Sequence, residues 1–170
     1  MEYAAALAIA QCTQAALAPY CARMAIAGSV RRQRPQVKDI EILALPLQEP
    51  ADLFGETLVA HQGFCAVVNQ WPKVKGEPTG KYTQGRLPEG IILDLFIADA
   101  ENWGWQQALR TGSTAFTAVL VPALKRAGYT SLNGYLFHRG VLVPVREEAE
   151  VFACAGMPWV EPTAREVAGR

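Results

Sequence analysis

The chain has 170 residues, with 16 Lys plus Arg against 16 Asp plus Glu, two His and four Cys. Hydrophobic residues make up 51%, enough for a packed core, and charged residues at 19% are too few for a disordered chain. Zero formal net charge excludes a protein that coats nucleic acid by bulk positive charge, and no apolar run is long enough to span a bilayer.

The first stretch, residues 2–18, is Ala-rich and stops at Pro19, which predicts a helix; it has no basic start and is interrupted by Glu2, Gln11, Thr13 and Gln14, so it does not read as a signal peptide. The expectation is a soluble, intracellular chain. Residues 24–27 form a short apolar strand that gives way to a turn at Gly28-Ser29. Residues 39–45 alternate, with Asp39 and Glu41 on one face of a strand and Ile40 and Ile42 on the other. Pro46 and Pro50 interrupt the chain, residues 51–60 read as a helix, and residues 64–68 read as a strand. Residues 71–90, rich in Pro, Gly and Lys, read as a long surface hairpin or loop.

Residues 91–97 (IILDLFI) have a buried-strand pattern with Asp94 in the middle. A helix is expected from Asp99 or Glu101 through Leu109. Thr111-Gly112-Ser113 punctuates before another helix reaching Arg126. Residues 135–145 suggest a hairpin turning at Arg139-Gly140, followed by a short helix over 146–155 and a Pro-rich end. The fold class is α+β: a mixed-sheet lobe over 1–110 and a small, mainly helical lobe over 111–170.

Charge is segregated. Arg23, Arg31, Arg32, Arg34 and Lys38 fall within residues 23–38 with no acid among them, and Lys73, Lys75, Lys81 and Arg86 are opposed by Glu77 alone. Such segregation points to anionic ligands. Cys12, Cys21, Cys65 and Cys154 are scattered and have no ligand spacing with His61 or His138. They read as small core hydrophobes rather than a zinc site.

Three carboxylates on apolar strands carry the chemistry. Asp39 and Glu41 leave the same face of one strand, and Asp94 interrupts a second. If the strands are neighbours, their oxygens converge on hard cations such as Mg²⁺, which takes one or two carboxylates plus phosphate oxygens. Taken alone, the D-x-E pair is weak evidence for catalysis, because alternating half-exposed strands commonly turn such acids to solvent; Asp94 carries more weight, because its strand is apolar on both faces. Ten residues earlier, Gly28 allows close backbone approach, Ser29 offers a hydroxyl, and Arg31 or Arg32 can fork onto phosphate oxygens at a helix start. Together the two features suggest a triphosphate site.

The run AGSVRRQRPQVKDIEIL resembles the nucleotidyltransferase signature of the family X DNA polymerases, the relatives of DNA polymerase beta. The resemblance continues through ILDLF, RTGSTAF, SLNGYLFHRG and REEAEVFACAGMPWVEPTAR, five motifs in family order. It implies a nucleotidyltransferase palm with a mixed β-sheet and flanking helices, plus a small helical and hairpin C-terminal subdomain. It further implies that Asp39, Glu41 and Asp94 are catalytic and hold two Mg²⁺, with Mn²⁺ as a substitute. Gly28, Ser29, Arg31, Arg32, Thr111 and Gly112 bind the nucleoside triphosphate in that reading. Lys73, Lys75 and Lys81 would touch primer–template or gapped DNA, or remain a solvated loop.

The implied activity is a small template-directed DNA polymerase that fills gaps in DNA repair. It would be a cytoplasmic monomer of prokaryotic or viral origin, with no membrane partner. The alternative is a terminal nucleotidyltransferase acting without a template on RNA or another acceptor.

The chain departs from the family pattern at several positions. Only 27 residues precede Gly28, so an N-terminal lyase domain and helix-hairpin-helix segments are not expected. Glu41 replaces the more frequent second Asp, and Leu109-Arg110 replaces the usual aromatic pair before T-G-S. Thr117, Ala118 and Val121 stand where larger members present polar or basic groups. Gly134 and Phe96 replace an acid and its Arg partner.

Overall fold

A five-stranded mixed sheet organises the first part of the chain. In the computed structural model, which describes residues 1–51 and 57–166, its order is β1 (Cys21–Ile26), β2 (Asp39–Pro46), β7 (Ile92–Ile97), β6 (Tyr82–Arg86) and β5 (Lys73–Gly76). The β2–β7 pair is parallel and the others are antiparallel. Ile40, Ile42 and Ala44 of β2, with Leu93 and Leu95 of β7, are buried, whereas Asp39, Glu41 and Asp94 on the opposite row are half-buried. Period-two alternation thus sorts apolar groups into the core and carboxylates away from it. Helix α1 (Tyr3–Leu17) packs against β1 and β2, with Ala6, Ala10 and Leu17 fully buried. Small alanines let the helix approach the sheet closely. A single 3-10 turn at Ala18–Tyr20 carries Pro19 and leads into β1, which starts three residues earlier than the apolar run predicts.

Two expected elements are different. Of the helix expected over 51–60, residues 52–56 lie outside the described residues, and Leu58–Ala60 is a strand (β4) paired antiparallel with β3 (Gln48–Pro50). The strand expected over 64–68 is instead part of helix α3 (Gln62–Val68). His61 caps it, its Nδ1 accepting the Gly63 N–H at 3.0 Å, and Phe64 and Val68 bury one face at helical spacing. A short apolar run suits either conformation, and the cap decides. All four thiols are free, but their placement differs from the expected core positions: Cys12 is exposed, and Cys21, Cys65 and Cys154 are half-buried.

The second part holds α4 (Trp103–Thr111), α5 (Thr114–Arg126), α6 (Glu148–Cys154) and an antiparallel sheet ordered β10-β9-β8. Its strands are β8 (Tyr129–Leu132), β9 (Tyr135–His138) and β10 (Val141–Val143), of which β8 lies outside the hairpin expected over 135–145. Trp105, Phe116, Leu120, Leu124, Leu136, Val151 and Phe152 form its core. Ser113 caps α5 by accepting the Phe116 N–H at 3.1 Å, and Glu147 with Glu150 forms a capping box on α6. Gly104 is required where α4 meets α6, because a Cβ there would lie 2.3 Å from the Glu147 carbonyl oxygen.

By contacts, the chain divides into Met1–Ile26 with Pro35–Ile97, and Ala27–Arg34 with Ala98–Arg170. The expected boundary at 110/111 falls within the last turn of α4, a different division. Helix α2 (Gly28–Arg31), a single turn, belongs to the second unit. No helix among the described residues is long and apolar enough to cross a membrane.

Candidate active site

The register of the central parallel pair sets Glu41 directly opposite Asp94, with Asp39 two residues along β2 on the same face. Neighbouring strands lie about 4.8 Å apart and alternate residues about 6.6 Å along a strand, so the three carboxylates share a small patch of one sheet face. Leu43 and Phe96 adjoin them on that face and are buried. Among the described residues no three His, Cys, Asp or Glu groups are drawn into a finished ligand cluster. The donor set nevertheless fits Mg²⁺, since all three groups supply hard oxygens of the kind that ion takes.

Two β6 side chains that the sequence did not single out hold Asp94. The Tyr82 hydroxyl donates to Asp94 Oδ1, and Gln84 Nε2 donates to the same oxygen at 2.8 Å. Gln84 is opposite Asp94 in the antiparallel β6–β7 register, and Tyr82 is two residues away on the same face. Their alternation in K-Y-T-Q-G-R was a legible signal.

The same hairpin carries the basic residues. Lys73, Lys75 and Lys81 are exposed. Lys73 Nζ pairs with Glu77 at 2.6 Å, and Lys75 Nζ lies 5.1 Å from the Tyr82 ring centroid.

The second cluster lies within the second unit. Gly28 has φ +59, in the left-handed region that favours glycine, and is buried. Ser29 Oγ is a buried hydroxyl oxygen with no hydrogen-bond partner among the described residues, which fits a polar ligand atom. The expected helix start is one turn, too short for a sizeable macrodipole, so side chains supply the polarity. Arg31 does not present an open fork: it donates to Glu148 Oε1 at 3.0 Å, to Oε2 at 2.6 Å, and to Thr111 Oγ1 at 2.6 Å. Arg32 donates through Nη1 to the Thr111 carbonyl at 2.7 Å and through Nε to Glu166, whose carboxylate also lies 3.6 Å from Arg34 Nε. Thr111 is fully buried, and Gly112 follows it as the C-cap of α4.

Glu148 and Arg165 complete this cluster and were not foreseen. Arg165, fully buried, donates through Nη1 to Glu148 Oε1 and through Nε to the Val160 carbonyl at 2.8 Å. Its guanidinium lies 4.8–5.6 Å from the centroids of Trp159, Phe152 and Phe116. Burial lowers its pKa from the usual arginine value, and Glu148 opposes that shift. A lone arginine near a Pro-rich end gives no local signal, because its partners come from three other segments.

Residues 108–166 match the family model described as DNA polymerase beta thumb. By sequence, no curated protein matches the chain. Among solved structures, it is similar to Leishmania infantum polymerase beta in a ternary P/T complex, with a TM-score of 0.72, 20% identity, and coverage of 98% of this chain and 76% of that one. It is equally similar to the same protein in a ternary gap complex, where 98% and 70% of the two chains are covered at a TM-score of 0.72 and 20% identity. Mixed sheet and second unit agree with these likenesses: the chain has the polymerase beta fold, and its residues 108–166 match the DNA polymerase beta thumb.

Proposed function

We propose that the chain is a template-directed DNA polymerase that transfers nucleotides from deoxynucleoside triphosphates to a primer 3′-hydroxyl and fills gaps in DNA repair. The observation that carries this reading is the register pairing Glu41 with Asp94, which puts three acids on one face of an otherwise apolar sheet centre. Two Mg²⁺ ions, or Mn²⁺ in their place, held by Asp39, Glu41 and Asp94 supply charge stabilisation to the attacking and leaving oxygens when bound. Ser29 and Arg32 hold the phosphates: the Ser29 hydroxyl has no partner among the described residues to give up, and Arg32 exchanges the Glu166 carboxylate for phosphate oxygens. Arg31, engaged with Glu148 and Thr111, orders the turn and the adjoining Thr111-Gly112, which flank the sugar. Lys73, Lys75 and Lys81 contact the DNA backbone. The DNA-complexed states in which the similar structures are described support primer–template or gapped DNA as the partner.

A second reading is a terminal nucleotidyltransferase acting on RNA or another acceptor. The observation favouring it is the first turns of α5, where Thr114, Ala115, Ala118 and Pro122 are exposed and uncharged, the helix's exposed cations, Lys125 and Arg126, coming in its last turn. Extension of gapped and template-free primers, each with deoxy- and ribonucleotides, separates the two. Template-dependent incorporation of deoxynucleotides supports the polymerase. Equal extension without a template supports the terminal transferase, and no incorporation from any of the four mixtures overturns both.

A further inference from the structure

The Asp94 carboxylate is held by two neutral donors from a single neighbouring strand. Tyr82 and Gln84 both direct their hydrogen bonds to Oδ1. An sp² carboxylate oxygen has two lone pairs, so two donors occupy the hydrogen-bonding capacity of Oδ1, and neither bond uses Oδ2. The donors are uncharged, so they fix the orientation of the carboxylate without neutralising it as a lysine or arginine partner would. Tyr82 is itself fixed: its ring packs on Phe96 with centroids 5.1 Å apart, and Lys75 Nζ lies 5.1 Å from it. Both donors stand in register with the acid-bearing strand, Gln84 against Asp94 and Tyr82 against Phe96, so the β6–β7 ladder sets their placement.

We propose that Tyr82 and Gln84 are positioning residues that lock Asp94 through Oδ1 and present Oδ2 as the divalent-cation ligand. This rests on the acid site proposed above. Outer partners that orient a ligating carboxylate typically govern metal affinity by one to two orders of magnitude. The arrangement also explains why a phenol and an amide, rather than aliphatic side chains, stand on the acid-bearing face of β6.

The test uses the full chain and two readouts: Mn²⁺ binding to the protein alone, by electron paramagnetic resonance, and the Mg²⁺ concentration giving half-maximal primer extension. Tyr82→Phe and Gln84→Leu should each weaken Mn²⁺ binding several-fold, about tenfold when combined. The half-maximal Mg²⁺ concentration should rise in parallel, while the KM for deoxynucleotide at saturating Mg²⁺ stays within about twofold. General loosening of the fold would raise that KM as well. If Tyr82→Phe does not fold, Gln84→Leu alone decides by the same criterion. Wild-type Mn²⁺ affinity in the double variant, with Asp94→Ala losing it, overturns the positioning role and leaves the acid site standing. Wild-type Mn²⁺ binding in Asp94→Ala removes the acid site and the inference together.

Discussion

Arg31 and Glu148 meet through a two-bond fork although 117 residues separate them. Glu148 also receives Arg165, so one carboxylate, 4% exposed, faces two guanidinium groups. The excess positive charge is partly offset by the rings of Phe116, Phe152 and Trp159 around Arg165. The arrangement ties the short turn at Gly28 to α6 and to the C-terminal segment within one unit.

Removing one member of a buried ionic group leaves the others uncompensated. Glu148→Ala should therefore destabilise the protein by about 3–5 kcal/mol in urea denaturation. Glu148→Gln, which keeps the shape and some hydrogen bonds, should cost less. Equal stability of Glu148→Ala and wild type would mean that solvent already screens the pair.

Asp39→Ala and Asp94→Ala should each reduce nucleotide incorporation by about a thousandfold or more, because preorganised charge is lost where the reaction needs it. Both side chains are half-buried, so the melting temperature should move by only a few degrees. Substantial Mg²⁺-dependent turnover by either variant would contradict the assignment of these acids.

Arg32 is shared between the Thr111 carbonyl and Glu166. Arg32→Ala should weaken triphosphate binding by about 1.5–3 kcal/mol, the range for a charged hydrogen bond, and Ser29→Ala by less. Glu166→Gln removes a carboxylate that competes with phosphate for the same guanidinium, so triphosphate affinity should rise a few-fold. Calorimetric titration of the three variants checks the order; weaker binding by Glu166→Gln would show that Glu166 orients Arg32 instead.

Alkaline stability should depend on Tyr135. Its hydrogen bond to Asp99, aided by burial, raises its pKa to about 12. The folded state therefore keeps the phenol proton where the unfolded chain releases it. This contribution is present in full below the unfolded pKa of about 10 and is lost as pH rises through the folded value. Tyr135→Phe should be less stable than wild type by on the order of 1 kcal/mol at pH 8. The gap should close between pH 10 and 12 in urea midpoints, and a constant gap across that range would count against the bond.

The basic hairpin should give modest, salt-sensitive DNA affinity. Lys73 is paired with Glu77, and Lys75 lies over Tyr82. Replacing Lys73, Lys75 and Lys81 together should flatten the slope of log affinity against log salt by about two rather than three, since a paired lysine releases fewer counterions. Triphosphate affinity should be unaltered; its loss alongside intact DNA binding would reassign the hairpin to the nucleotide.

Much of the site was legible because its signals are local. Alternation in DIEIL is enough to put Asp39 and Glu41 on one strand face, Gly28 marks the turn that ends β1, and Ser113 announces the start of α5. Each depends on φ, ψ preferences or on a bond between residues three or fewer apart. Only the tertiary structure decided which groups face each other. The Glu41–Asp94 register, the two β6 donors on Asp94 and the engagement of Arg31 by Glu148 depend on segments distant in sequence. Residues 64–68 became a helix because His61 caps that segment, and Cys12 lies exposed because its side of α1 is not the one packed on the sheet. An amino acid's own chemistry limits what it can bind, but the partner it binds is chosen by the elements that packing brings beside it.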